Sequence, residues 1–355
     1  MLKVIFAAFK YEHGQPERGL AGIEYRNFFG TLEKMPNVSA SFFAVDEIMQ
    51  KAGREQMNKD LIKLVEEQKP DLLFTMIFQE EIKKETIEFI TKKTATKTFN
   101  WFTDDHWRLP VFSRYWAPLF TMVGTTDSQA PEKYRRLGIT NVLKTQWGVN
   151  HYLFKPQQDR SDNTVYDITF AGTDYGKRSE YISGLKALSL PAKGFGKGWD
   201  SGVIDQQKMM EIFSFSKINL NFTESSYVTF KQKLKLLAKM FIKKEFGHYR
   251  FAPDVVNGLK SARGAALRQI KGRNFEIPAC GGFLLTADAD NLSDYYVPDK
   301  ETAIFTNFDE LAEKCKYYLA HDSERAAIAK AGYERTIREH TYEHRFNQIF
   351  NKLGF

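Results

Sequence analysis

The chain has 355 residues, 43% hydrophobic and 27% charged, with 23 Gly and 11 Pro; at roughly 100–200 residues per domain it has room for two domains, which excludes a peptide-sized, disordered or collagenous chain. Its two cysteines, Cys280 and Cys315, exclude a disulfide framework or a zinc cluster and point to a reducing, cytoplasmic compartment. The net charge of +7 is concentrated in one place: between Val228 and Arg273 twelve Lys or Arg face two acids, Glu245 and Asp254, leaving 39 basic and 42 acidic residues elsewhere, so an electrostatic partner is expected at that segment.

No apolar run approaches the ~18–20 residues of a membrane span. The opening run Val4 to Phe9, between Lys3 and Lys10, is too short for a signal peptide and reads as a buried first strand. An amphipathic stretch from Gly22 to Leu32 follows, then a strand Ser41 to Val45 and a helix Arg54 to Gln68. Next come Asp71 to Ile77, Ile82 to Thr91, Thr98 to Phe102, Met122 to Thr125 and Asn141 to Leu143, in which strands recur between helical patterns, as in a parallel sheet of βαβ units.

A polar stretch from Pro156 to Asn163 reads as a linker, after which the pattern restarts. Strands are predicted at Asp167 to Gly172, Lys217 to Phe222, Gly282 to Thr286 and Thr302 to Phe305. Helices are predicted at Ser179 to Leu188, Gln206 to Phe215, Arg273 to Ala279, Phe308 to Ala320, Asp322 to Arg338 and Thr341 to Asn351. The predicted fold is α/β, two tandem Rossmann-like doubly wound domains facing a cleft. Residues 1–155 form the first and 156–338 the second, with a basic insert at 228–271, and a C-terminal helix over 339–355 packs back on the first domain.

Three stretches carry possible chemistry. The run from Lys271 through Arg273 and Glu276 to Gly281 reads as a helix N-terminus with two cations and one carboxylate, then glycines, then a buried strand. Arg273 can grip a phosphate bidentately beside the positive helix end, and Glu276, one turn in, suits the two hydroxyls of a ribose; an ordinary helix cap with a surface ion pair is the alternative. The turn Gly172-Thr173-Asp174-Tyr175-Gly176-Lys177-Arg178 follows a strand directly, and its glycines permit close approach of a diphosphate. Gly194 to Trp199, containing Gly196, is a second glycine-rich loop in which Trp199 either stacks on a nucleobase or packs inward. In the first domain Asp104, Asp105 and His106 end a strand, and His13 lies in the loop after the first one; these are the candidates for deprotonating an acceptor hydroxyl, with helix capping the alternative role for an aspartate. Asp288-Ala289-Asp290 imitates a metal-binding pattern but follows a strand in a domain already supplied with cations, so no metal is expected.

The run around Lys271 to Thr286, with Lys217 to Phe222, the tail Ala331 to Thr336 and His340 to Arg345, Asp127 to Gly138 and Asp167 to Arg178, resembles the spore maturation protein CgeB family. Those proteins are group 1-like glycosyltransferases of GT-B fold. The resemblance implies a transferase using a nucleoside-diphosphate-sugar as co-substrate, with no other cofactor, the donor in the C-terminal domain and the acceptor in the N-terminal one. By motif, Glu276 corresponds to the ribose-binding glutamate and Arg273 to the diphosphate-binding cation. Gly172, Thr173, Lys177, Arg178, Gly196, Trp199, Asn221, Lys271 and Gly281 complete the expected donor set. One position departs from the pattern: the acid that many group 1 enzymes carry eight residues before the ribose glutamate is Arg268 here.

Within the insert, Phe230 to Lys244 reads as an amphipathic helix with Leu234, Leu237 and Phe241 on one face and lysines around it. An anionic membrane surface, nucleic acid, or plain packing with solvated lysines are its possible partners, and the apolar face favours the membrane. The acceptor implied is a cell-surface glycan or glycolipid intermediate. Glycosylation of a hydroxylated DNA base, and a non-catalytic glycan- or membrane-binding role, are the alternatives.

Overall fold

The computed structural model describes residues 1–158, 166–223, 242–245, 248–251 and 255–355. The chain divides into two compact units. Residues 1–146, 235–265 and 342–355 form the first, and residues 147–234 and 266–341 form the second.

The first strand, β1 (Leu2–Ala8), is buried over Val4 to Ala8, the mark of a strand covered on both faces. It pairs in parallel with β2 (Val38–Ala44) on one side and β3 (Leu72–Thr75) on the other, and β4 (Lys97–Phe102), β5 (Met122–Thr125) and β6 (Val142–Lys144) extend the sheet in the order β2-β1-β3-β4-β5-β6. Ile5, Leu73, Val123 and Trp116 belong to its main core with the helix Val45–Gln68, which is broken at Gly53 (φ 82°). The core is completed from the far end of the sequence: in the helix Tyr342–Leu353, Tyr342 lies 4.5 Å and Phe346 5.7 Å from Phe28, ring centre to ring centre.

The second unit repeats the plan with β7 (Tyr166–Ala171), β8 (Ala192–Phe195), β9 (Ser216–Asn221), β12 (Leu284–Ala287) and β13 (Ala303–Phe305), all parallel, in the order β13-β12-β9-β7-β8. In both sheets the strand order reverses beside the first strand of the unit, between β1 and β3 and between β7 and β9. Loops at the carboxyl ends of such strands are where doubly wound sheets bind ligands.

Three expectations change. Ala192–Phe195 is an edge strand rather than the start of a loop. Its Gly194 obscures the pattern, and the glycine is there because a Cβ would overlap the Trp199 ring. Of the helix expected over Phe230 to Lys244, residues 230–241 lie outside the described residues, and Ile242–Glu245 is β10, paired antiparallel with β11 (His248–Phe251). The β-branched and aromatic residues of this stretch suit a strand, which the count of lysines concealed. Finally, the insert was expected with the C-terminal domain, whereas 235–265 belongs to the first unit. Its helix Val255–Gly264 packs on Asp105–Arg108 and the turn after it, and Gly264 comes so close to the His106 carbonyl that a Cβ would overlap it.

Candidate active site

In the second unit the two glycine-rich loops are laced together at the carboxyl ends of β7 and β8. The Gly172 amide donates to Phe195 O at 2.7 Å, the Asp174 amide to Lys197 O at 2.8 Å, and the Trp199 indole Nε1 to Gly172 O at 2.8 Å. Gly196 adopts φ +117°, and a Cβ there would come within 2.8 Å of Gly172 O, so only glycine lets the strands end this close together. Trp199 thus braces the turn, half-buried on Gly194 and Phe170.

Arg273, 101 residues further along the chain, lies against this turn. A Cβ on Gly172 would sit 3.1 Å from its Nη2 and 3.2 Å from its Cζ. Arg273 forms no hydrogen bond or ion pair with any described residue, and its Nε is buried without a partner. Arg178 is engaged instead: 5% exposed, it donates to Thr173 O at 2.7 Å and to the Tyr175 hydroxyl at 2.8 Å, with its guanidinium 3.7 Å from the Tyr175 ring centre. Burial pulls its pKa down to about 10, and the positive charge of Arg273 adds to that fall against the opposing pull of Tyr175. Two guanidinium groups therefore feel each other at one glycine turn, an arrangement that an anion relieves.

The helix Arg273–Ala279 has only seven residues and contains Pro278. Its start is fixed by a buried polar network. Asn274 Oδ1 accepts from the Lys271 amide at 2.9 Å and from Asn221 Nδ2 at 2.9 Å; Asn221 and Asn274 both donate to the Thr286 hydroxyl, at 3.1 and 3.2 Å. Asn221, expected as a donor contact, is 1% exposed and works through this network; Asn274 and Thr286, which hold Arg273 in place, were missed by the sequence reading. Their only sequence signal is a polar residue inside an apolar strand or helix. Glu276 is 7% exposed one turn from Gly272, and its charge adds to the burial that pushes the Cys280 thiol up. Thr173 and Lys177 are exposed, Lys271 is half-buried, and Gly281 (φ +74°) begins the entry to β12. Arg268, at the departing position, donates to Thr306 O at 3.4 Å.

In the first unit, Asp105 is 1% exposed and accepts from the Tyr134 hydroxyl at 3.0 Å; burial raises its carboxyl to about 6. His106 is 6% exposed, and Asp104 is half-buried just before the helix Asp105–Arg108, to which its carbonyl, not its side chain, bonds. These three neighbours in sequence therefore occupy different environments. His13 stands in an exposed loop at φ +58°, its ring 6.4 Å from Phe78. The structure adds Glu24, which no sequence pattern marks. Burial, then the charges of Glu81, Asp46 and Glu12, push its carboxyl up to about 7. Asp46 meanwhile accepts from the Lys10 and Tyr11 amides, and Glu81 from those of Phe78 and Gln79, so the loops after β1 and β3 are pinned by buried carboxylates. Among the described residues no group of three His, Cys, Asp or Glu side chains is placed to hold a metal.

Residues 243–351 match the glycosyl transferase-like family. The chain is 23% identical over 252 residues to the spore protein CgeB of Bacillus subtilis (strain 168), covering 68% of this chain and 71% of that protein. These matches support a CgeB-like glycosyltransferase of the group 1 type. Its fold is GT-B: the sucrose-phosphate synthase of Thermosynechococcus elongatus superimposes with a TM-score of 0.62 at 11% identity over 99% of both chains. The Anabaena protein HepE, solved in complex with UDP-glucose, superimposes with a TM-score of 0.58 at 12% identity, again over 99% of both. Among the described residues no helix is long and apolar enough to cross a membrane.

Proposed function

We propose that this glycosyltransferase takes a sugar from a nucleoside-diphosphate-sugar and attaches it to a hydroxyl of a cell-surface glycan or glycolipid intermediate. Arg273 carries the reading. A guanidinium laid against a glycine turn, without a carboxylate partner among the described residues and within the field of a second guanidinium, suits a diphosphate better than any internal group. The UDP-glucose bound by HepE supports a nucleotide sugar as the donor class.

In this reading the bond between the anomeric carbon and the diphosphate oxygen breaks, the acceptor oxygen bonds to that carbon, and the hydroxyl proton leaves. Arg273, laid against the Gly172 turn, takes up the charge that grows on the departing nucleoside diphosphate, so it stabilises the transition state more than the ground state. Glu276 accepts from the ribose hydroxyls, while Lys177 and Lys271 add positive potential. Arg178 holds the turn. On the acceptor side, His13 and Glu24 follow β1 at the switch point of the first sheet, and a carboxyl near 7 is matched to proton transfer at neutral pH; Asp104, after β4, is the further candidate.

The test is a panel of nucleoside-diphosphate-sugars scored by thermal shift and by release of nucleoside diphosphate. A true donor at 100 times its dissociation constant stabilises by about 2.7 kcal/mol. Neither stabilisation nor nucleotide release with any member of the panel would overturn the proposal.

A further inference from the structure

The helix Val255–Gly264 distributes its side chains the wrong way round for a helix whose only task is to cover a core. The face against the first unit is made of small residues: Gly258 and Gly264 are buried, Ser261 is 5% exposed, and the adjoining Ala265 is fully buried. The bulky apolar residues point outward, with Val256 64% and Leu259 49% exposed. Lys260 and Arg263 share that outward face, since positions 256, 259, 260 and 263 follow the spacing of one side of a helix. No acid occurs in the sequence between Asp254 and Glu276. Solvated helix faces normally mix both charge signs and keep large aliphatic groups inside, so this face combines two costs with no internal return.

We infer that the outward face of the helix Val255–Gly264 docks on an anionic lipid surface, with Val256 and Leu259 entering the headgroup boundary and Lys260 and Arg263 against the lipid phosphates. The exposed aliphatic groups decide between lipid and other polyanions. Twelve cations against two acids from Val228 to Arg273 attract any of them, but exposed aliphatic groups strengthen binding only where there is hydrocarbon to enter. The position of the helix gives the docking a use. It rests on Asp105–Arg108, at the carboxyl end of β4, so the lipid surface meets the unit to which the acceptor is assigned. The link to the acceptor rests on the proposed function; the docking itself does not.

The experiment is co-sedimentation of the whole chain with vesicles of phosphatidylglycerol and phosphatidylcholine in equal parts, against phosphatidylcholine alone. Binding to the anionic vesicles only, abolished by 1 M salt, is expected. K260A/R263A is expected to lower the partition coefficient about 30-fold and Leu259→Ser about tenfold. Both variants should release nucleoside diphosphate from a soluble donor at the wild-type rate, which separates this proposal from the transferase assignment and shows that the variants fold. Vesicle binding unchanged in Leu259→Ser and V256S, or retention on double-stranded DNA without vesicle binding, would overturn it.

Discussion

Removing Arg273 should move activity and stability in different directions. The side chain makes no hydrogen bond or ion pair with any described residue, so Arg273→Ala deletes no internal partner. It also frees Arg178 from a like charge that helps hold its pKa near 10. A buried cation that served an internal ion pair would cost about 3–5 kcal/mol on truncation; here the unfolding free energy should stay within about 0.5 kcal/mol of wild type or rise. Turnover should fall about 10²–10³-fold, the usual cost of deleting one fixed group that stabilises transition-state charge. Arg273→Lys should recover only part of the loss, since an ammonium cannot form a fork on two phosphate oxygens. Urea unfolding beside release of nucleoside diphosphate measures both quantities on the same protein. A variant that is destabilised by 3 kcal/mol, or that turns over at the wild-type rate, refutes the assignment.

Three further outcomes follow from the geometry. Gly172→Ala places a methyl 3.1 Å from Arg273 Nη2 and 2.8 Å from Phe170 Cζ, so it should cost about 1–3 kcal/mol by overpacking and raise the donor KM, read by calorimetry and initial rates. Asn274→Ala removes the acceptor of the Lys271 amide and of Asn221 Nδ2 and should lower stability by about 2–3 kcal/mol, with a fall in kcat that donor saturation does not rescue. Glu24 has a carboxyl raised from 4.5 to about 7 by folding, so its stabilising contribution is complete below about pH 4.5 and is lost as pH rises to 7. Glu24→Gln should therefore gain about 3 kcal/mol on wild type at pH 8, little at pH 4.5, and flatten the stability profile between them; equal slopes for the two proteins would exclude the shift.

The strands were legible because parallel strands covered on both faces are nearly continuous apolar runs. Helices such as Gln206–Phe215 and Phe308–Ala320 were legible because Asp205 and Asn307 cap them with their side chains. Gly172, Arg273 and Glu276 could be named from local pattern and family resemblance. The approach of Arg273 to Gly172 could not, because it depends on β7 and β9 being neighbours across 50 residues of chain. The same reason hides Glu24, whose raised carboxyl depends on burial and on Glu81, 57 residues away. β8 was missed because four residues with a central glycine give no period, and the glycine answers to Trp199, not to strand propensity.

The last fourteen residues close the hydrophobic interior of the unit that the first 146 begin, with Tyr342 and Phe346 against Phe28 and with Lys97 Nζ donating to the Leu353 carbonyl. On a ribosome, the amino-terminal half must then wait, incomplete, until translation has passed residue 350, while the later-made unit has every strand it needs by residue 341. Vectorial synthesis runs against the order in which the two halves can mature, so a nascent chain arrested at residue 341 should expose the aromatic surface of Phe28 to holdase chaperones and proteases.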